Sequence, residues 1–584
     1  MIYPTLSSEN TSRDFINVFG GYNHNFRISE NEFYDMTNLT SANYPLMSTR
    51  SPRGLYASLH MPQGITAKDA VYYVDSGTLY ENKHPVAGLT LTDGEKTLIS
   101  MGAYLLIFPD KKYYNTQDES HGEIESKVEI DPSSASVTFT PCDIDGNEIK
   151  IQHTGDDEPD QKSNADYWLD TSQSPNALYK YSSSQQSWVL LPTSYIKISF
   201  PELGKTFSQY DGVKISGVDN ASLSDINGAH IIWSCPDEKS IVVVGILSDP
   251  VTISSGGKIL VERKMPEYDF ITEAGNRLWA CKYGFDAEKN VVNEIYASKL
   301  GDFKNWSCFM GLSTDSYAAS LGSDGAFTGA ITHLGYPIFF KENCLHKIYG
   351  EIPSNFQIQT TACRGVQKRS GKSLAIVNGV LFYKGDSSVL AYDGSLPQEL
   401  SDVFGGIKYN NAVGCAYGNK YYLSMADAEN KYHLFVYDTI KGMWHREDNT
   451  EALGFCSVDN ELYFIDKADN KIKTVAGSGD VFERNVPWSA ESGIIGADSI
   501  NHKYLSKLNV RMSLDIGAVV RAYIEYDSSG HFEYAGAVTG KALDSFSLPI
   551  RPRRCDHLRI RLTGSGGAKI YSITKTLEEG SDRL

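Results

Sequence analysis

The chain has 584 residues, 41% hydrophobic and 11% aromatic, with 54 Lys and Arg against 72 Asp and Glu for a formal charge of −18. That length exceeds one hydrophobic core and predicts three or four folding units. The acidic balance argues against a duplex-wrapping DNA binder, because neutralising phosphates takes a basic face. The densest apolar run, residues 241–247 (IVVVGIL), has the length of a buried strand, so no membrane span is expected.

In chain order, residues 1–60 are rich in Asn, Ser and Arg with short apolar islands, and read as an extended arm lying on another surface. The first residues lack the basic and apolar regions of a secretory signal, which predicts folding in a cytoplasm. Strand patterns begin near Ala70, where VYYV, a DSG turn and TLYEN form a hairpin.

A hydrophobic hairpin unit then recurs: Gly or Asn, a short run of mainly aromatic or aliphatic residues, a polar turn and a second apolar run. Copies open at Gly102, Asn276, Gly335, Gly379, Asn419 and Asn460, the last four separated by 44, 40 and 41 residues. A period of roughly 40 residues with about four short strands per unit marks a β-propeller. About six blades are expected, over residues 61–119 and 259–480.

The step from Gly102 to Asn276 is 174 residues, far more than one repeat, so residues 120–258 are expected to be an inserted β domain. From residue 481 to 584 longer strands take over. Leu508, Val510, Met512 and Leu514 alternate with polar residues, as do Leu558, Ile560 and Leu562, which predicts a C-terminal antiparallel β-sandwich. The whole chain is therefore expected to be all-β.

Chemistry-bearing patterns are scarce. The 13 histidines form no metal-binding spacing, the nine cysteines include no C-x-x-C pair, and no nucleotide-binding or serine-hydrolase motif occurs. Asp143, Asp145 and Glu148 suggest a calcium loop with an incomplete register, and a turn at Gly146 explains them better. Asp75, Ser76 and Gly77 read as a hairpin turn. No catalytic residue, cofactor or metal is assigned, and the chain is expected not to be an enzyme. Arg551, Arg553, Arg554, Arg559 and Arg561 stand out as a basic cluster in an acidic chain, suited to salt bridges with a partner or to an ordinary solvated face.

The opening DFINVFGGYNHNFRISENEFYDMTNLTSANYPLMSTRSPRG, the segments FFKENCLHKIYG and GVLFYKGDSSVLAYDG, and the tail PIRPRRCDHLRIRL with IYSITKTLEEGSD resemble bacteriophage virion proteins. The group most similar is the tail nozzle or tail-accessory β-propeller of short-tailed phages. The resemblance covers all but the insert. It implies a homo-oligomeric ring, commonly a hexamer, below the portal and head-tail adaptor, touching tail fibres or other tail proteins and assembled in the host bacterial cytoplasm. DNA would pass through its lumen without specific binding, since an acidic lining offers no phosphate-binding cations.

Under that reading Asn38, Tyr44, Pro45 and Arg50 of the arm dock on a neighbouring protomer or adaptor, and the five arginines are interface residues. A host-surface glycan- or receptor-binding module, or a fibre-attachment module, is the alternative. A glycan-cleaving propeller comes third.

Overall fold

The repeat has a local cause. Five of its hairpins turn through two consecutive residues with positive φ: Ser76 and Gly77, Gly275 and Asn276, Leu334 and Gly335, Asn378 and Gly379, Asp459 and Asn460. Such turns match the right-handed twist of the flanking strands and favour Gly and Asn, which meet little strain there. In four of the five the turn links the first and second strands of its sheet, and Ser76 and Gly77 link the second and third. The structure is a computed structural model describing residues 11–579 except 288, 498–500, 541, 542, 549, 551 and 552.

The chain is a β-propeller, and among the described residues it has seven blades. Blade 1 runs through Pro62–Ala67, Val71–Asp75, Thr78–Glu81 and His84–Thr90; blade 2 spans Thr97–Met101 to His121–Glu123. Blades 3 to 6 open at Phe270–Ala274, Phe327–His333, Ala375–Val377 and Asn410–Tyr417. Blade 7 takes Ala452–Val458, Glu461–Asp466 and Lys471–Thr474 from the end of the repeats, and its outer strand, Gly54–Ser58, from before blade 1. The expected number was about six; the additional blade is blade 1, whose hairpin with the turn at Ser76 and Gly77 was not among the six recurring copies.

First strands of successive blades pack side by side, and Ala452–Val458 returns against Pro62–Ala67 to close the ring. Between neighbouring blades lie separate apolar cores. Leu278 and Ala280 of blade 3 meet Leu106 and Phe108 of blade 2, and Leu462 and Phe464 of blade 7 meet Leu434 and Val436 of blade 6. Each buried Leu, Ile or Phe contributes about 1.5–3 kcal/mol, so stability is spread around the ring.

The insert leaves after blade 2 and returns before blade 3. Its entry strand Ser126–Ile130 pairs in register with its exit strand Ile259–Arg263, so the two ends lie side by side. These strands belong to an eight-stranded sheet around Ile130, Phe139, Ile198, Val213, Ile241 and Val261. A small four-stranded sheet, His153–Gly155 to Ser187–Leu190, branches from it.

At the C-terminal end two six-stranded sheets face each other over Leu508, Val510, Met512, Ile524, Leu558 and Leu562. The expected extended arm is corrected here. Thr11–Ile16 pairs with Ala568–Glu579, Glu32–Thr37 with Pro487–Ser492, and Met47–Thr49 again with Ala568–Glu579. Phe19, Met36, Leu39 and Met47 are buried in the sandwich core. The apolar islands of the N-terminal segment are sticky because they fill this chain's own sandwich. Gly21–Tyr22 and Glu32–Thr37 also pack on Met443–Arg446, the outer strand of blade 6. The insert therefore joins the ring between blades 2 and 3 while the sandwich sits at blade 6, across the ring from it.

No helix among the described residues is long and apolar enough to cross a membrane.

Candidate functional site, a cleft between propeller and insert

Where the insert meets blades 2 and 3, two adjoining hollows of about 490 and 330 Å³ share Glu262 and Lys264. One end is lined by Glu123, Glu125, Ser126, Lys127 and Thr206. The other is walled by Met265, Pro266, Tyr296, Trp306 and Phe309, with Lys214 beside them. Ligand sites favour such domain junctions, with apolar and aromatic walls and a few placed polar groups.

Strand pairing builds the polar floor. Glu262 stands in register with Lys127 on one neighbouring strand and Lys214 on the other. Alternation along a strand puts Lys264, two residues on, on the same face. Glu262 is only 6% exposed, and its carboxylate accepts from Lys264 Nζ at 2.8 Å. Glu125 is held by Lys111 Nζ at 2.6 Å and accepts from Met265 N at 3.0 Å; Glu123 lies 3.9 Å from Lys112.

The aromatic wall comes from blade 3, with Tyr296 on the strand Val291–Ala297 and Trp306 and Phe309 on the long connection from it to Tyr317–Ser320. Trp306 is buried and donates from Nε1 to Phe303 O at 2.9 Å, whereas Phe309 is 56% exposed. Burial, reinforced by Glu294, holds the Tyr296 hydroxyl above its usual range, so it stays protonated. Burial pushes the neighbouring Cys308 thiol up to about 11, which makes it a poor nucleophile.

The same connection fixes the two bodies together. Asn305 accepts from Gly212 N at 3.1 Å and donates to Tyr210 O at 2.7 Å. A Cβ on Gly212 would come within 2.3 Å of Ser307 O, so this approach requires glycine. Arg263 pairs with Asp211 at 2.6 Å, both buried, and desolvation still raises the Asp211 carboxyl above its ordinary value. Chemically, the cleft can hold a polar ring against aromatic carbon while lysines and glutamates bond its substituents.

The residues singled out from the sequence lie elsewhere. Asn38 and Arg50 are buried within the chain: Asn38 donates to Pro487 O at 2.7 Å and accepts from Arg50 Nε at 2.7 Å. Arg50 also pairs with Glu483 at 2.7 Å and Asp448 at 3.2 Å, tying the sandwich to the propeller. Pro45 O accepts from Phe19 N at 3.2 Å. Tyr44 is 41% exposed, with Lys441 Nζ 4.8 Å from its ring centre.

Of the arginines, Arg559 and Arg561 both pair with Glu491, at 3.4 and 2.6 Å, on the same sheet. Arg553 is exposed and pairs with Glu533 at 2.8 Å; Arg554 is exposed; Arg551 lies outside the described residues. Asn38, Arg50, Arg559 and Arg561 thus all carry bonds inside the molecule. The missed cleft residues had two sequence signals, the aromatic cluster WSCF at 306–309 and the ends of the insert. Neither reveals that the two meet.

No family model matches the sequence, and no curated protein does. Matching solved structures include a family 43 arabinoxylan arabinofuranohydrolase from Bacillus subtilis, 6% identical, covering 53% of this chain and 95% of that one with a TM-score of 0.20. PorZ, a surface component of the type-IX secretion system of Porphyromonas gingivalis, is 10% identical over 88% and 77% of the two chains, with a TM-score of 0.26. The endosialidase of phage phi92 is 9% identical over 80% and 76%, with a TM-score of 0.25. At these values no residue or activity is carried across. One expectation is corrected: with glycoside hydrolases and an endosialidase among the matches, the assignment of the chain as a non-enzyme is withdrawn.

Proposed function

We propose that this chain is a β-propeller module of a phage tail that binds a glycan or glycan-bearing receptor on the host surface, through the cleft between propeller and insert. The cleft carries the proposal: an aromatic wall with exposed Phe309 adjoins a floor of lysines around Glu262, at the joint of propeller and insert. The virion location is supported by the resemblance of the opening and closing segments to phage tail proteins.

A nozzle in which six copies surround the genome path, beneath portal and adaptor proteins, is the narrower reading and rests on that resemblance alone. Asn38 and Arg50, which were to join neighbours, are occupied within their own chain.

The ends of the insert are paired, so residues 126–263 are replaceable by a short Gly/Ser link without stretching the ring. Glycan-array binding by the intact chain, lost in a folded excision variant, is the expected result, and equal binding by both would remove the cleft from consideration. Release of reducing sugar in the same samples reports whether a bound glycan is also cut.

A further inference from the structure

We infer a second site, at the edge of the sandwich, where Ser528, His557 and Asp556 form a nucleophile, base and carboxylate triad that hydrolyses short-chain carboxylic esters. Ser528 Oγ lies 2.7 Å from His557 Nε2, and His557 Nδ1 lies 2.9 Å from Asp556 Oδ2. An ionised carboxylate only accepts, and the bond to His557 holds Asp556 below its usual range, so Nδ1 carries the ring proton. In the neutral imidazole Nε2 is then the acceptor, and the Ser528 hydroxyl donates to it. This is the arrangement that activates a serine, and it is recognised by geometry, since 29 residues separate Ser528 from His557.

The backbone sets the side chains in place. Tyr526 stands in register with Leu558, which puts the turn after Val519–Tyr526 beside the residues that precede Leu558–Ser565. Asp527 N–H donates to His557 O at 3.0 Å, and Asp527 Oδ1 accepts from Asp556 N at 2.7 Å, so the two segments are clamped together. Asp527 and Ser528 have φ of 52° and 48° in a two-residue turn closed by Ser529 N–H on Tyr526 O. Such a turn favours Gly or Asn, and a serine held in the left-handed region is the kind of strain that collects at active sites. Ser528 N–H has no partner among the described residues, which leaves it to bond a developing oxyanion.

Ser528 and His557 line a hollow of about 540 Å³ with Phe26, Ile28, Ile494 and Arg27. The three apolar residues suit a short acyl chain. Asp556 is exposed, and a solvated triad stabilises its transition state less than a buried one, so the alcohol of an ester, which departs more readily than an amine, is the better leaving group. Ser528 Oγ attacks the carbonyl carbon while its proton passes to Nε2; the C–O bond breaks and the alcohol takes that proton. Water then adds to the acyl group on Ser528, its proton passing through Nε2 back to Oγ as the acid leaves.

The test treats the full chain with a fluorophosphonate probe and assays p-nitrophenyl acetate and butyrate. Peptide mass spectrometry is expected to find the probe on Ser528. Ser528→Ala should abolish that label, and His557→Ala should lower the labelling rate and kcat/KM for both esters about 100-fold. Both variants should keep the parent melting temperature. Asp556 positions His557, so Asp556→Asn should lower kcat roughly tenfold or more with KM unchanged, a split that a merely structural role would not give. An unlabelled Ser528, or equal ester hydrolysis by Ser528→Ala and the parent chain, overturns the inference; the reading of the cleft, on which it does not rest, is unaffected.

Discussion

At the scale of single residues, the strongest constraint is the charge cluster joining the sandwich to blades 6 and 7. Arg53 is 2% exposed and donates to Glu447 and to Asp448, the latter at 3.2 Å; its backbone N–H donates to Glu483 at 2.9 Å. Removing one partner of a buried pair leaves an uncompensated charge, so Arg53→Met should cost about 3–5 kcal/mol in denaturant unfolding. A second substitution, Glu447→Gln, should recover part of that loss, because it removes the orphaned carboxylate.

The cluster also sets an acid limit. Beside Arg53 and Arg50, Asp448 is held down to about 2 from an ordinary value near 3.8. A carboxyl depressed in the folded state stabilises it fully above the unfolded value and loses that contribution as pH falls. Asp448 therefore contributes about 2 kcal/mol that is present above pH ~4 and disappears toward pH ~2. Glu483, also held low by Arg50, adds in the same direction. Melting temperature should fall through this window, and Asp448→Asn should flatten the fall.

Among the elements, the N-terminal segment separates two pictures of the molecule. As a free arm it would be dispensable for folding; as found, it supplies strands to both sandwich sheets and the outer strand of blade 7. Deleting residues 1–58 should therefore yield insoluble or unfolded protein rather than a soluble chain deficient in assembly, as read by circular dichroism and size exclusion. A smaller lesion addresses the ring closure. At Gly54 a Cβ would stand 2.1 Å from Ser478 O and 2.4 Å from Thr474 Oγ1, so Gly54→Val should loosen blade 7 and raise proteolysis there.

The hairpin turns were legible because a two-residue turn writes its strain into the sequence as Gly or Asn. The cleft was not, since Lys127, Lys214 and Glu262 are brought into one row by pairing between strands distant in sequence. Likewise Arg559 and Arg561 read as a free basic cluster because their partner, Glu491, lies 68 and 70 residues away.

For the whole molecule, the seven-bladed ring places the insert and the sandwich on opposite sides, so one can contact a ligand while the other contacts a neighbour. Mass photometry of the purified chain is expected to show a species near six times 64.6 kDa if the hexamer proposal holds; a uniform monomer at virion-like concentration would count against the ring and leave the cleft untouched.

Local chemistry was enough to declare an all-β chain, a propeller of hairpins, an interruption between the copies at Gly102 and Asn276 and a terminal sandwich. Each follows from alternation, turn residues and spacing, which act over a few neighbours. The seventh blade's borrowed strand, the burial of the N-terminal islands and the meeting of Phe309 with the lysine row depend on which distant strands pair. Hydrophobic and hydrogen-bonding groups state what kind of partner they need but carry no address. That address is set when the ring closes, with Gly54–Ser58 beside Lys471–Thr474 and the ends of the chain folded into one sandwich.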